Sequence, residues 1–426
     1  MGGRLRGVAG ATAAAIGLLG CAHSLVSEGR LEEEAFERLS SRAEDVTGTP
    51  RPVDLRALPV TQAQVKGIMQ RVIEGQWEEE QLYAFRESLV TLGLWPPDRD
   101  LVEASLAVFE EEVVGFYVPS DRTLYVVADA RVPMGLTILS ALLGRDVYRE
   151  AVLAHELVHA HQHASHPKLV ATSVDSPDQS DAASAASAAL EGDALRAGFE
   201  LSLRGAALPD PEWVDVAFEA EARQRTQGSL SDAPALIRLT YAFPYARGYR
   251  LAHAEGSALL DAPPASTEQL LHPERRHADF LAVDLAPLVA KLPPECTPLF
   301  QDTMGELNLS VLLRDLSETP NAQSWQGWDG DRYLVAHCRD GREFLWLTYW
   351  DSIADAEDFE LAYAGIAARV AERADLQTRP RTLRDGRLVV VYTGGLGDLL
   401  PALAALPRRA RVSTLEDLRA HFAAAD

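Results

Sequence analysis

Three cysteines in 426 residues are too few for a disulfide-knitted fold, and none stands at the spacing of a thiolate metal cluster. Positive charge is scarce as well. Forty Lys and Arg face 63 Asp and Glu, a formal net charge of −23, which excludes DNA, RNA or anionic lipid as partners held by electrostatics. Long apolar runs are missing too: the stretch Val8 to Leu19 is too short to cross a bilayer as a helix. No internal repeat is visible. A chain of this length can nonetheless bury a large core or two domains.

What is present begins with an export signal. Arg4 and Arg6 precede the apolar stretch, which ends in Leu18-Leu19-Gly20-Cys21. This is the pattern of a bacterial lipoprotein, in which cleavage leaves Cys21 as a lipidated first residue. Removing residues 1–20 takes away two arginines, so the mature charge becomes 38 − 63 = −25. Ala22 after the cysteine leans towards the outer membrane, and the expected location is the cell envelope, on a lipid anchor. Cys296 and Cys338 remain. An exported chain can pair them, or they can stay as two buried thiols.

Residues 21–59 read as a lipidated N-terminus and tether, with a helix possible over Glu28 to Ser41 and a break at Thr49-Pro50-Arg51-Pro52. Helical periodicity runs through Thr61–Glu74, Trp77–Leu92 and Asp98–Glu110. The runs Val113–Val118 and Thr123–Ala128, joined by Pro119-Ser120-Asp121-Arg122, form a hairpin. That hairpin could pair with an extended substrate backbone or be an ordinary part of the core. Further helices are expected over Asp146–His163 and Ala182–Leu203, and strands at Glu343–Leu347 and Leu388–Tyr392. The body is taken as 60–375, with a C-terminal piece over 376–426 that could belong to it.

The chemistry is concentrated in His155-Glu156-Leu157-Val158-His159. Residues four apart share a helix face, so both imidazoles can reach one ion, while Glu156 sits about 100° round, where it can touch water without ligating. The alternative is a pair of unremarkable histidines. A catalytic zinc needs a third protein ligand and an open position. Glu191, in Ala188-Ala189-Leu190-Glu191-Gly192-Asp193, is the best candidate. Its helix carries Ala182, Ala183, Ala185 and Ala186, which permit close approach of a neighbour. Gly192 implies either close backbone packing or simple tolerance. Asp193 could accept the outer N–H of a ligating histidine or be a solvated acid. His161 and His163 read as caps of a wet helix end.

HExxH followed by a helical glutamate resembles the gluzincin branch of zinc metallopeptidases. A closer resemblance is to exported bacterial proteins that combine Gly115-Phe116-Tyr117, Leu124-Tyr125-Val126, the HELxHAxQ run from His155 to Gln162, and Glu191-Gly192-Asp193-Ala194. Pro263-Pro264-Ala265-Ser266-Thr267-Glu268-Gln269, Leu271-His272-Pro273, Gly305-Glu306-Leu307 and Gly327-Trp328-Asp329-Gly330-Asp331-Arg332-Tyr333 extend it. The resemblance implies His155, His159 and Glu191 as Zn²⁺ ligands and Glu156 as general base. Asp193 lies two residues after the glutamate, where thermolysin-like enzymes place their acid four after, at Leu195 here.

These readings converge on an α+β, helix-rich, zincin-like metallopeptidase fold with a small sheet over the HExxH helix. The expected reaction is hydrolysis of a peptide or protein substrate by water activated at zinc. His272 and Tyr245 are the candidates for steadying the oxyanion, or else are packed polar side chains, and Glu268, four residues before His272, could orient it if that short stretch is helical. A hydrolase of another bond, or a catalytically silent zinc-binding envelope lipoprotein serving as scaffold or binding protein, would carry the same residues.

Overall fold

A computed structural model of the chain describes residues 26–27, 30–130, 140, 146–174, 176, 178–203, 205–224, 228–403 and 407–423. The export signal and Cys21 lie outside the described residues. Helices and several small sheets make the fold α+β. The chain divides into two compact units, each assembled from three segments. The first comprises Met1–Val72, Phe109–Ser165 and Ala194–Pro209, and the second Ile73–Val108, His166–Asp193 and Asp210–Asp426. The division cuts across the continuous body expected over 60–375.

The first unit opens with the short pair β1 (Val26–Ser27) and β2 (Arg30–Leu31), then helix α1 (Glu33–Thr47) and β3 (Arg56–Val60). Helix α1 ends where Gly48 adopts a left-handed conformation and returns its N–H to the Glu44 carbonyl. The stretch read as a tether with a possible helix over Glu28 to Ser41 thus carries a helix over Glu33–Thr47 and a strand over Arg56–Val60. The reason for the helix is apolar: Phe36, Leu39 and Ala43, spaced at three and four, bury with Leu153, Leu157 and Val158. Strand β3 pairs in parallel with β5 (Thr123–Val127), and β4 (Gly115–Val118) pairs antiparallel on the other side. The sheet order β3-β5-β4 leaves β4 at an edge. Helix α2 (Val147–Ser165) follows; it contains neither glycine nor proline. Asp146 accepts from the N–H of Arg149 at its start, and Pro167 stops it from continuing.

In the second unit, helix α3 (Ser180–Leu203) contributes its first half. Helix α4 (Phe243–Glu255) crosses it where Gly192 and Gly248 meet: a Cβ on either glycine would fall on the backbone of the facing helix, that of Gly248 on the Ala188 carbonyl. Of the two readings of Gly192, close backbone packing is the one observed. Ala185, Ala188 and Ala189 pack there with Phe243, Leu251 and Ala252.

The rest of this unit is built on an antiparallel sheet in the order β10-β11-β9-β8-β7, formed by Arg381–Asp385, Leu388–Tyr392, Gly341–Trp350, Trp328–Cys338 and Thr297–Asp302. A second pair joins β12 (Arg408–Val412) to β6 (Phe280–Asp284). The C-terminal strands thus belong to the second unit. Alternation along β9 sends Phe344 and Trp346 to one core and Leu345 and Leu347 to another, so both sheet faces are covered. Helix α5 (Gly305–Leu316) and helix α6 (Ile353–Arg373) pack on the Trp346 side, α6 through Phe359, Tyr363 and Ile366. Cys296 and Cys338 are joined as a disulfide at the β7–β8 end of the sheet.

Candidate metal centre

On α2 the imidazoles of His155 and His159 stand one turn apart with their rings perpendicular and their Nε2 atoms 3.0 Å from each other. The other nitrogen of His159, Nδ1, donates to Oε1 of Gln162 at 2.8 Å. Gln162 is one turn further along the same helix face and only 2% exposed, so its amide is fixed. With its proton on Nδ1, His159 presents a lone pair at Nε2. Two imidazole nitrogens this close need a proton or a cation between them.

The third donor comes from α3. Ala194, Ala197 and Leu201 of this helix share a core with Leu153, Ala154, Leu157 and Val158 of α2, and Gly198 lies against the backbone of His155. Glu191 is one turn before Ala194 and two before Gly198, on the same face of one continuous helix. His155, His159 and Glu191 each offer a ligand atom, and these atoms lie within 4.8 Å of one another. Ligands bound tetrahedrally at about 2.0–2.2 Å stand roughly 3.3–3.5 Å apart, inside that bound. All three side chains are half-buried, so an ion held by them would keep a side open to water. Two neutral imidazoles and one carboxylate suit a divalent ion of borderline softness.

Glu156 accepts a hydrogen bond from the backbone N–H of Tyr117 on β4 at 2.8 Å. Gly115 makes this approach possible, because a Cβ there would crowd Val152 and the Tyr125 carbonyl and touch Glu156. The phenol of Tyr117 bonds Nδ1 of His163 at 2.9 Å, so β4 is fastened to α2 at two points. Burial pushes the Tyr117 hydroxyl up to about 12 and holds the His163 imidazole below its ordinary value. His161 is 1% exposed and bonds Oγ1 of Thr49 through Nδ1. The wet helix end expected for it is absent, because the segment after α1 closes over it.

Asp193 is buried. The partner of His159 is Gln162, a residue quoted in the sequence motif without a role; its spacing of three from His159 was the available signal.

Tyr245 and His272 lie in the second unit. The Tyr245 ring stacks on Phe218 with centroids 5.4 Å apart. His272 directs Nε2 at both carboxylate oxygens of Glu306, at 2.8 and 3.0 Å, and that hydrogen bond raises its pKa. Glu268, expected to orient His272, instead pairs with Arg275 at 2.8 Å. The short helix Glu268–Leu271 stops at His272, which leaves the one-turn geometry unused.

The segments around Thr267, Gly305 and Asp331 form a buried polar brace. Asp181 accepts from the N–H and hydroxyl of Thr267, and the same hydroxyl accepts from the N–H of Leu307. Asp331 accepts from the N–H groups of Met304 and Gly305 and from the indoles of Trp328 and Trp346. Gly305 is glycine because its φ is +72° and a Cβ would strike Asp181. The segments around 267, 305 and 331 are thus wired together through backbone amides, which is a positioning role and not a chemical one.

Residues 297–396 match a family described as a domain of unknown function, DUF8575; they cover β7 to β11 and the helices between. No curated protein and no solved structure matches the chain.

Proposed function

We propose that this chain is a zinc-dependent metallohydrolase, a peptidase of gluzincin type on a zincin-like catalytic unit. The observation that carries the reading is the convergence of His155, His159 and Glu191 beside Glu156, with the proton of His159 committed to Gln162. Zinc, when bound, would polarise a scissile carbonyl and acidify an attacking water.

The chain's own groups do the rest. Glu156 takes the proton of the attacking water and hands it to the leaving amine. The Tyr117 N–H holds that carboxylate in place. Because β4 is an edge strand, its outward backbone groups can pair with an extended peptide. The lipid anchor at Cys21 would keep the enzyme in the cell envelope.

The test is a pair of measurements on the purified chain: zinc content, and hydrolysis of an unstructured protein. One zinc per chain, with hydrolysis lost in Glu156→Gln while the zinc stays, is the expected result. Unchanged hydrolysis in that variant, or no zinc in a folded chain, overturns the proposal.

A further inference from the structure

The second unit contains a cavity of about 770 Å³ that the proposed chemistry does not use. Its size is that of a small-molecule or peptide-side-chain site. Four elements bring basic side chains to its lining: Arg238 from the helix Ala235–Thr240, Arg247 from α4, His272 from the end of Glu268–Leu271, and Arg314 from α5. In a chain of net charge −23 such a grouping runs against the overall composition.

The partners of these groups differ. His272 is taken by Glu306, and Arg247 by Asp215 at 3.1 Å and Glu219 at 3.8 Å. Arg238 and Arg314 have no acidic partner among the described residues. Two exposed arginines thus line the cavity with no side-chain hydrogen bond or ion pair to another described residue. Each offers a planar fork suited to a carboxylate or phosphate.

We infer that the cavity binds an organic monoanion with an apolar body, namely a peptide carrying a carboxylate, which Arg238 and Arg314 grip while the apolar part lies against Leu271, Leu307 and Trp325. Three features select this class. Glu219 and Glu306 belong to the same lining, and their charge opposes a compact dianion such as phosphate. The apolar wall would gain nothing from an inorganic ion. The volume exceeds what a lone carboxylate fills, so the anion has a body. The carboxylate can be the free C-terminus of a peptide or an acidic side chain. The inference does not rest on the peptidase reading, because the cavity and its basic side chains lie wholly within the second unit.

The experiment is calorimetric titration of the full chain in low-salt Tris chloride, with the neutral chelator 1,10-phenanthroline present so that no peptide is cut. Three probes are compared: acetyl-Leu-Phe with its free carboxylate, acetyl-Glu-Phe-amide with a side-chain carboxylate, and acetyl-Leu-Phe-amide with neither. At least one acidic probe is expected to bind about tenfold or more tighter than the neutral one, and to lose that margin in the double variant Arg238→Ala/Arg314→Ala. Which acidic probe binds identifies the source of the carboxylate. Both arginines are exposed, so the double variant should fold, and Arg238→Lys/Arg314→Lys should keep part of the margin. Equal binding of all three probes, no binding of any, competition by inorganic phosphate as strong as by the acidic peptide, or an unaffected double variant overturns the inference. Loss of hydrolysis alone would leave these titrations unchanged, so failure of the proposed function and failure of this site are separately visible.

Discussion

Gln162 accepts the Nδ1 proton of His159, one helical turn back along α2. The bond orients the ring and keeps the lone pair of Nε2 aimed towards His155 and Glu191. Such support around a metal ligand is typically worth about 10- to 100-fold in metal affinity. Gln162→Leu, which removes the acceptor at nearly constant volume, is expected to weaken zinc binding by that order with the circular dichroism spectrum unchanged. Gln162→Glu should restore most of it. Competition against a fluorescent zinc chelator gives the affinity; a Leu variant that binds zinc like the parent sinks the assignment.

The crossing of α3 and α4 yields a test with a distinctive sign. Placing alanine for glycine inside a helix ordinarily gains roughly 1 kcal/mol. At Gly248 the added methyl would meet the Ala188 carbonyl across the helix pair. Gly248→Ala is therefore expected to destabilise by about 1–3 kcal/mol through overpacking. Scanning calorimetry decides it, and a rise in Tm would refute the packing argument.

How far the sequence could be read depended on how each segment handles polar groups. The HExxH helix, the alanine-rich helix and the hairpin follow simple periodicity, and appear over Val147–Ser165, Ser180–Leu203 and Gly115–Val127. Strand β8 did not announce itself, because Asp329, Asp331 and Arg332 interrupt its apolar pattern; all three are buried and paired. Alternation reads hydrophobicity and cannot see that a buried carboxylate has four donors waiting. The parallel partner of β5 was missed for another reason. Strand β3 lies more than sixty residues upstream and contains Pro59, and parallel pairing leaves no local turn signal. Glu306 as the partner of His272 depends on the fold of Gly305–Leu316 against the 267–272 segment, which no spacing encodes.

Stability should fall as pH rises from 5 to 8. Burial pushes the carboxyls of Asp181 and Asp302 up from 3.8 to about 7, and that of Glu268 up from 4.5 to about 8. Between their unfolded and folded pKa values the native chain holds more protons than the unfolded one, so raising the pH through this window removes stability. His272, raised by the Glu306 hydrogen bond, acts in the same direction from its ordinary 6.5 upward, and the three raised carboxyls outnumber the opposing His163, whose depressed imidazole adds stability as pH rises towards 6.5. Thermal melts at pH 5 and pH 8 are expected to show the higher Tm at pH 5. Asp181→Asn keeps an acceptor for the Thr267 N–H and should flatten the slope. A Tm that climbs between these pH values contradicts the assignment.

Reduction offers a third handle on the second unit. The Cys296–Cys338 bond closes a loop with a sequence separation of 42, worth about 4 kcal/mol on the chain-entropy account. Melting with a phosphine reductant should lower Tm, and the variant Cys338→Ala should melt at the reduced value with or without it. Identical melting of parent and variant under oxidising conditions would show that the two sulfurs do not pair in solution.

The interleaving of the two units bears on how the chain is made. The first is not complete until Pro209 has been delivered, yet the second has already claimed Ile73–Val108 and His166–Asp193. Neither can be finished as a contiguous stretch while the polypeptide emerges from N- to C-terminus, and the early segments must wait, with apolar faces such as that of α1 uncovered, for partners supplied later. Expression of either unit from a simple truncation is thus a poor strategy, and a holdase chaperone that shields waiting segments would matter more to the yield of this protein than to one whose domains follow in line.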